Sequence, residues 1–315
     1  MKDATRILTR HPSNPLIRVD DYPGYMTIFN PSPARYKGKT ILLVSMIPFG
    51  SERGGETHVA VSDDGIEFEI RDEPFINLHE HPHPFSDFCC HVIDNRVTRI
   101  GDTYYILTPT RARIQATSPI TVLGRTKDFK TYEPIEIIDY PKVRGTSLFP
   151  EKINGKYYKL IRIGAGTGCH GEIWMSSSPD LIHWGAYRHF LNPGTVGGWD
   201  GQKIGPTPPI RTEQGWLEIM HGVNTPCDGS HYYVGALLLD LAEPWKIIGR
   251  TTSYLLAPEE PYETSGHVDN VVFPCGALVD EDRDELRLYY GAADTCIGLA
   301  TGKLSDVIQA CIDGI

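Results

Sequence analysis

The sequence predicts an all-β protein with the fold of a five-bladed β-propeller, because two local signals recur five times along the chain. In the first signal, a short polar turn leads into an apolar segment that resembles a strand. Its copies begin roughly 60 residues apart, a period typical of propeller blades. The five copies are residues 37–44, 101–107, 154–160, 213–219 and 282–288.

The second signal follows each copy of the first and consists of a strand end, a tight turn and then an aromatic or apolar residue. It is clearest at residues 62–68 and 178–184, looser at 125–129 and 240–245, and weakest at 300–304. Five pairs of signals predict five blades. Because such blades stack around one axis and share one core, we expect residues 1–315 to form a single domain.

Strands are expected to dominate the chain. Residues 104–107, 216–220 and 286–290 are rich in aromatic and aliphatic side chains and are bounded by Gly and Asp turns. No stretch keeps a helical period for three turns, and residues 304–315 are expected to form either a short helix or a closing strand. Propellers often close their ring by pairing strands from both termini, so residues 7–30 are the expected source of that strand.

Composition and charge restrict the class of protein. The 315 residues are 40% apolar and carry a formal net charge of −10, which argues against a nucleic-acid or anionic-membrane surface. No apolar run approaches the ~18 residues of a membrane span, and no apolar signal-peptide core follows the first residues. The seven cysteines include no C-x-x-C pair, so we expect free thiols in a reducing cytoplasm.

Three long connections, residues 75–95, 140–151 and 190–209, are expected to carry most of the unusual chemistry. The first contains His79, His81 and His83 and ends near His91. A metal site is one interpretation of these histidines. The intervening prolines and the lack of matched spacing favour a polar loop beside the functional site, so no metal is predicted.

Three cations lie beside predicted strand ends or glycine-rich segments. They are Arg144, Arg162 and Lys203, and we expect them on separate blades. In an acidic protein they could converge on one small anion, and the planar fork of Arg suits phosphate. The alternative is that all three form surface salt bridges.

Two carboxylates are candidates for chemistry or binding. Asp94 lies among apolar residues at a strand start, where its protonated form would be favoured, as a general acid requires. The alternative is an ion pair with Arg96. Asp294 ends an apolar strand in a turn of small residues, where it could bind sugar hydroxyls or cap the turn. Tyr232 or Tyr233 could contact a sugar at the channel mouth.

Several long motifs resemble the mannoside phosphorylases of glycoside hydrolase family 130, and the resemblance extends roughly over residues 14–306. The segment Leu148-Phe149-Pro150, continuing to residue 157, is similar to a signature of that family. Further similar motifs are residues 199–205, 208–217, 221–223, 271–276 and 289–295. The family is a five-bladed propeller, in agreement with the repeat.

The resemblance implies a role for each matched position. Asp94, in a D-x-R segment just before a G-x-x-Y-Y strand, corresponds to the general acid. The phosphate-binding positions are Arg144, Arg162, Lys203, His221 and Tyr232, with Tyr233 as the alternative to Tyr232. The sugar-binding positions are Asn30, Arg96 and Asp294.

The implied reaction is inverting phosphorolysis of a β-mannoside at its non-reducing end. Inorganic phosphate, a co-substrate rather than a cofactor, attacks the anomeric carbon while Asp94 supplies a proton, by resemblance through a sugar hydroxyl. The products are α-mannose 1-phosphate and a shortened acceptor. Phosphate is already a nucleophile, so cations replace the second carboxylate that an inverting hydrolase needs. No other cofactor is expected, and a homo-oligomer is possible.

Some alternatives stay open. A β-1,4-linked substrate with a glucose, N-acetylglucosamine or mannose acceptor is expected, and a β-1,2-linked mannoside is the alternative. Ile93 stands where many family members have an aromatic residue, and residues 79–91 are less typical, so linkage and acceptor are not fixed. A β-mannoside hydrolase or a sugar-binding propeller without activity are the other hypotheses. The cations together with Asp94 argue against both.

Overall fold

The chain folds into five antiparallel β-sheets, which confirms the predicted five-bladed propeller. The computed structural model describes residues 3–112, 119–164 and 170–314. Each sheet is one blade. In four of them the strands follow one another along the chain from the innermost to the outermost, and in the last one strands from the N-terminus form the outer edge. Antiparallel neighbours joined by short turns account for this order.

The strand bounds follow in chain order. Two N-terminal strands are β1 (Thr9–Arg10) and β2 (Ile17–Arg18). Blade 1 consists of β3 (Tyr25–Tyr36), β4 (Lys39–Pro48), β5 (Glu56–Ser62) and β6 (Glu69–Ile70). Blade 2 consists of β7 (Arg96–Ile100), β8 (Thr103–Thr110), β9 (Ile120–Thr126) and β10 (Glu133–Asp139). Blade 3 consists of β11 (Val143–Leu148), β12 (Tyr157–Ile163), β13 (Ile173–Ser178) and β14 (Gly185–Leu191).

The remaining elements complete the ring. Blade 4 consists of β15 (Lys203–Pro206), β16 (Ile210–Arg211), β17 (Trp216–Asn224), β18 (His231–Leu239) and β19 (Ile247–Arg250). Blade 5 consists of β20 (Val272–Pro274), β21 (Leu278–Asp280), β22 (Glu285–Ala292) and β23 (Cys296–Lys303). The two α-helices are α1 (Pro261–Thr264) and α2 (Leu304–Asp313). Four 3₁₀ helices span Ala4–Arg6, Val19–Asp21, Leu78–Glu80 and Phe85–Phe88.

The sequence repeat corresponds to fixed positions within each blade. The first signal leads into the strand that pairs with the innermost strand of its blade, namely β4, β8, β12, β17 or β22. In four blades the second signal is the turn into the outermost strand. In each of these four turns an Asp side chain accepts hydrogen bonds from two backbone N–H groups that follow it. These residues are Asp64, Asp128, Asp180 and Asp240. Such Asx turns explain why the repeat is visible in the sequence.

The N-terminus closes the ring. Strands β1 and β2 both pair with β23, so the edge of blade 5 is covered from residues 7–30, as predicted. The side chain of Asn14 adds to the closure by donating to and accepting from the backbone of Leu299, both at 2.9 Å. Residues 304–313 form a helix rather than a closing strand, which explains why the fifth copy of the second signal is the weakest.

Two of the three expected long connections contain an inner strand, which corrects the sequence interpretation. Residues 140–151 include β11 and residues 190–209 include β15. These strands are short and interrupted by residues that break the alternating pattern, such as Gly145, which has a φ of 86°. Only residues 75–95 form a connection without a strand, and they carry two of the 3₁₀ helices.

Other expectations concern thiols, metals and membranes. Cys89, Cys227, Cys275, Cys296 and Cys311 are free thiols, and Cys169 lies outside the described residues. No cluster of three or more His, Cys, Asp or Glu side chains in the described part of the chain could hold a metal ion. Neither of the two α-helices in that part is long and apolar enough to span a bilayer.

Breaking the buried ion pair of the closure should destabilise the fold. Arg10, in β1, makes two hydrogen bonds of 2.8 and 2.7 Å to Glu263, whose side chain is fully buried. An Arg10→Met change would leave that carboxylate buried without its cation, and should cost about 3–5 kcal/mol in the free energy of unfolding. Denaturant titration measures this.

A matched control exists on the surface of blade 2. Arg125 makes the same kind of two-bond pair with Glu133, at 2.8 and 2.9 Å, but both side chains are exposed. Arg125→Met should therefore cost no more than about 1 kcal/mol. Equal losses in the two variants would contradict the role given to the N-terminal closure.

Candidate active site

A cavity of about 370 Å³ lies where the five blades meet, and every blade contributes to its wall. Its apolar wall is formed by Phe29, Pro119, Val268, Val271 and Phe273. Its polar and charged wall is formed by Asn30, Asp94, Arg111, Arg144, Arg162, Gln202, Lys203, Ser230, Tyr232 and Asp294. Seven residues that the sequence analysis singled out therefore line one space.

The three predicted cations line this cavity, but they come from two blades rather than three. Arg144 lies on β11 and Arg162 on the adjacent β12, so both belong to blade 3. The Arg162 Nε atom donates to the Arg144 carbonyl oxygen at 2.8 Å, which fixes the two residues relative to each other. Lys203 begins β15 in blade 4, and its ammonium group lies 5.1 Å from the centre of the Tyr232 ring.

The cationic charge of the cavity is only partly compensated. Among the described residues, neither Arg162 nor Lys203 forms an ion pair with a carboxylate. Burial, and then the charge of Arg144, lowers the pKa of the Arg162 guanidinium to about 10. Cations held close together without counter-ions form a site for an anion.

Asp94 is bound by cations instead of being held as an acid, which contradicts the expectation that its protonated form is favoured. Burial alone would raise its pKa, but the charges of Arg144 and Arg96 and the hydrogen bonds from Asn30 and Arg144 outweigh it and lower the pKa to about 2. Arg144 donates through Nε at 3.0 Å and also through Nη2 to Asp94 Oδ2. Asn30 Nδ2 donates to Oδ1 at 2.7 Å.

Of the two carboxyl groups that line the cavity, Asp294 is the one with a raised pKa. Burial, and then the negative charge of Asp94, raises its pKa to about 7. Asp294 lies in the turn between β22 and β23 with a φ of 49°, and Asn30 has a φ of 46°. Left-handed backbone at non-glycine residues is uncommon, and here it aims two polar side chains at one cavity.

Arg96 and His221 lie beneath the cavity and do not line it. Arg96 is buried, donates to the main-chain oxygen of Asp94 and to Cys275 Sγ at 3.3 Å, and lies 5.5 Å from the Phe273 ring. The alternative of a pair between its guanidinium and the Asp94 carboxylate is therefore wrong. The guanidinium of Arg96 is directed at the backbone and does not line the cavity, so its predicted sugar contact stays a prediction.

His221 packs 4.4 Å from the Phe273 ring centre, and neither ring nitrogen has a hydrogen-bond partner among the described residues. Burial, and then Arg162, holds its pKa well below the usual range. The imidazole is therefore neutral and can offer one N–H donor and one acceptor. Tyr232 rather than Tyr233 lines the cavity, since successive strand residues point to opposite faces and Tyr233 packs against Tyr254.

Sequence reasoning missed several lining residues. Arg111 directly follows β8, and burial followed by Arg144 lowers its pKa. Gln202 precedes Lys203, and its side chain accepts from Thr225, which in turn contacts Ser230 at 3.0 Å. The position of Arg111 beyond a strand end was a usable signal. Nothing in the sequence indicated that Ser230 faces the cavity.

The histidines of residues 75–95 contact different parts of the protein. His83 Nδ1 lies 2.9 Å from Asp87, and the His81 ring packs edge-on against Tyr132. His91 Nδ1 accepts from the Gly55 N–H at 3.3 Å, and burial followed by Arg144 lowers its pKa to about 4. These side chains are spread along the segment.

Replacing Asp294 by Asn should make stability less dependent on pH. The pKa of Asp294 is about 7 in the folded state and 3.8 in the unfolded state. Below pH 3.8 the Asp294 carboxyl is protonated in both states, whereas between pH 3.8 and about 7 it is protonated only in the folded state. Wild-type stability therefore falls as pH rises through that window. Asp294→Asn should raise the Tm at pH 8 by at least about 2 °C, and the gain should shrink towards pH 4. A difference between the two Tm values that does not change with pH would contradict the raised pKa.

Comparisons with known proteins agree with the fold and with the motifs. A family model for glycoside hydrolase family 130, described as beta-1,4-mannooligosaccharide phosphorylase, matches residues 5–312. The chain is 35% identical to a beta-1,4-mannooligosaccharide phosphorylase of Ruminococcus albus over 98% of this chain and 91% of that protein. It is 38% identical to a beta-1,2-mannobiose phosphorylase of Listeria innocua over 80% of this chain and 67% of that protein.

A solved structure extends the likeness to three dimensions. The beta-1,2-mannobiose phosphorylase of Listeria innocua, in complex with beta-1,2-mannobiose, superposes with a TM-score of 0.83 at 30% identity, over 96% of this chain and 99% of that chain. The family match, the relatives and the five-bladed architecture all lead to one conclusion. The chain belongs to glycoside hydrolase family 130.

Proposed function

We propose that this protein is an inverting β-mannoside phosphorylase, which transfers a mannosyl unit from a β-mannoside to inorganic phosphate. The observation that carries the proposal is the cavity itself, in which Arg162 and Lys203 form no ion pair with any described carboxylate while Arg144 pairs with Asp94. A dianion bound there would supply the missing negative charge. Family membership adds the sugar chemistry.

Phosphate binds between Arg144, Arg162 and Lys203, and Tyr232 contributes its hydroxyl. The neutral His221, just beneath, can orient the phosphate by donating one N–H. When phosphate binds the Arg144 guanidinium, the Asp94 carboxylate loses its strongest cationic partner. Because Asp94 is buried, its pKa then rises, and the carboxyl group can hold the proton that the reaction needs.

In the reaction, a phosphate oxygen attacks the anomeric carbon from the face opposite to the leaving group. The bond from that carbon to the acceptor oxygen breaks, and that oxygen receives the Asp94 proton, relayed through a hydroxyl of the mannosyl unit. Asp94 becomes a carboxylate again, the state that the free site stabilises through Arg144. Attack from the opposite face inverts the configuration, so the product is α-mannose 1-phosphate.

The mannosyl unit rests on Asn30 and Asp294, with Phe29 and Phe273 supplying apolar wall. Asp294 keeps its proton over part of the neutral range, so it can donate as well as accept a hydrogen bond with a sugar hydroxyl. We infer a β-1,4-mannooligosaccharide as the substrate, because the Ruminococcus albus relative matches almost the whole chain. A β-1,2-linked mannoside is the alternative, favoured by the 0.83 TM-score of the Listeria innocua structure.

The test of this function is whether turnover requires phosphate. The protein is incubated with β-1,4-mannobiose or β-1,2-mannobiose, with and without inorganic phosphate, and the sugar products are quantified. Phosphorolysis predicts mannose 1-phosphate and one equivalent of free mannose from one of the two disaccharides, only when phosphate is present. Mannose released at the same rate without phosphate would instead indicate a hydrolase.

A Lys203→Met change should weaken the binding of phosphate without disturbing Asp94. The substitution keeps the side-chain stem but removes one charge-assisted contact, worth ~1.5–3 kcal/mol, so the KM for phosphate should rise at least about tenfold. The KM for the mannoside should change much less. Initial rates with each substrate varied separately measure both values.

Lys246→Met is the matched control, because Lys246 is exposed, pairs with Glu243 and does not line the cavity. It should leave both KM values near those of the wild type. An equal rise of both KM values in Lys203→Met, or an unchanged phosphate KM, would contradict the placement of phosphate beside Lys203.

A further inference from the structure

Asp94 lies on a short segment, residues 92–97, that crosses from blade 1 to blade 2. Buried hydroxyl groups of blade 1 hold this segment from below. Ser45 Oγ, on β4, accepts from the Asp94 N–H at 3.0 Å. Ser32 Oγ, on β3, accepts from the Val97 N–H at 3.0 Å. The segment is thus fixed to blade 1 before it enters blade 2.

A third hydroxyl completes this attachment. Thr57 Oγ1, on β5, donates to the Val92 carbonyl oxygen at 2.7 Å and accepts from Asn95 Nδ2 at 2.7 Å. Thr108 Oγ1 donates to Asn95 Oδ1 at 2.8 Å from the blade 2 side. The polar groups on both sides of Asp94 therefore have buried partners, which leaves the segment little freedom.

Asp94 itself has a left-handed backbone, with a φ of 55°. Such a conformation is unfavourable for a residue with a Cβ atom and persists only where the surroundings impose it. Its N–H is bound by Ser45 and its carbonyl oxygen by Arg96, so both peptide groups are fixed by side chains instead of by a neighbouring strand. Together these contacts aim the carboxylate at Asn30 and Arg144.

We propose that Ser45 is a positioning residue for the general acid, which holds the Asp94 peptide so that the carboxyl group faces the anomeric centre. This inference rests on the proposed phosphorylase function. Ser45 is fully buried between Phe29 and Thr57 in the sheet and does not line the cavity, so it acts through Asp94 and not on the substrate.

The test compares Ser45→Ala with Ser32→Ala. Both serines are buried, belong to blade 1, and accept one N–H of the same segment at 3.0 Å, but only Ser45 bonds to Asp94. Ser45→Ala should lower kcat about 10-fold to 100-fold, the effect of a small misplacement of a reacting group, and leave both KM values nearly unchanged. Ser32→Ala should keep kcat near the wild-type value, although thermal unfolding should show a similar loss of stability.

Two further variants keep the test decisive. Ser45→Cys nearly retains the side-chain volume but replaces a strong hydrogen-bond acceptor by a weak one, so its kcat should also fall. It takes the place of Ser45→Ala in the test if Ser45→Ala does not fold. Ser45→Thr restores the hydroxyl and should recover most of the wild-type kcat. Equal losses of kcat in Ser45→Ala and Ser32→Ala, or no loss in a folded Ser45→Cys, would overturn the positioning role.

The outcome separates this inference from the proposed function. Suppose that the wild type forms mannose 1-phosphate only with phosphate and that Ser45→Ala and Ser32→Ala lose kcat equally. This result would overturn the positioning role and would still support phosphorolysis. If the wild type hydrolyses the mannoside instead, the same variants are compared by their hydrolysis rates, because proton transfer from any general acid depends on how its side chain is positioned. A wild type with neither activity would overturn both.

Discussion

The ion pair between Asp94 and Arg144 connects the segment that leads into blade 2 with blade 3 across the wall of the cavity, and the chemistry of the site depends on it. The Asp94 side chain is 3% exposed and that of Arg144 is 28% exposed. A buried carboxylate is costly unless it is paired and hydrogen-bonded. Arg144, Arg96 and Asn30 hold Asp94 as an anion in the free site. Ser45 and the left-handed backbone fix where its side chain points.

The same pair connects binding to proton transfer. Arg144 serves two anions in turn, the Asp94 carboxylate in the free site and, in the proposed reaction, phosphate. Arg162 donates to the Arg144 backbone and, among the described residues, forms no ion pair with a carboxylate. Phosphate binding would thus change the charge beside Asp94 before the sugar bond breaks, because the cation that lowers the Asp94 pKa is the cation that phosphate requires.

Much of the fold was predictable because the repeat arises from hydrogen bonds between residues that are close together in the sequence. Turn residues such as Asp64 and Asp180 bond to the backbone two and three residues ahead, and that pattern is visible without knowledge of the fold. The inner strands β11 and β15 were missed because they are short and carry polar residues toward the cavity. Their sequence therefore lacks the apolar alternation by which a strand is detected.

The candidate site was predictable as a set of residues but not as an arrangement. The motifs identified Asp94, Arg144 and Asp294, yet the sequence suggested a protonated Asp94, whereas the raised pKa belongs to Asp294. That difference depends on which cation reaches which carboxylate, a contact between residues 50 positions apart in the chain. The role of Ser45 could not be predicted for the same reason, since its partner Asp94 lies 49 positions further along the chain.

Calorimetric titration of inorganic phosphate into the wild type and into Asp94→Asn tests the central claim most directly. If Asp94 competes with phosphate for Arg144, removing its charge frees the guanidinium and leaves the cavity more cationic. The account predicts that Asp94→Asn binds phosphate more tightly than the wild type does, while turnover is lost. Equal or weaker phosphate binding by Asp94→Asn would contradict it.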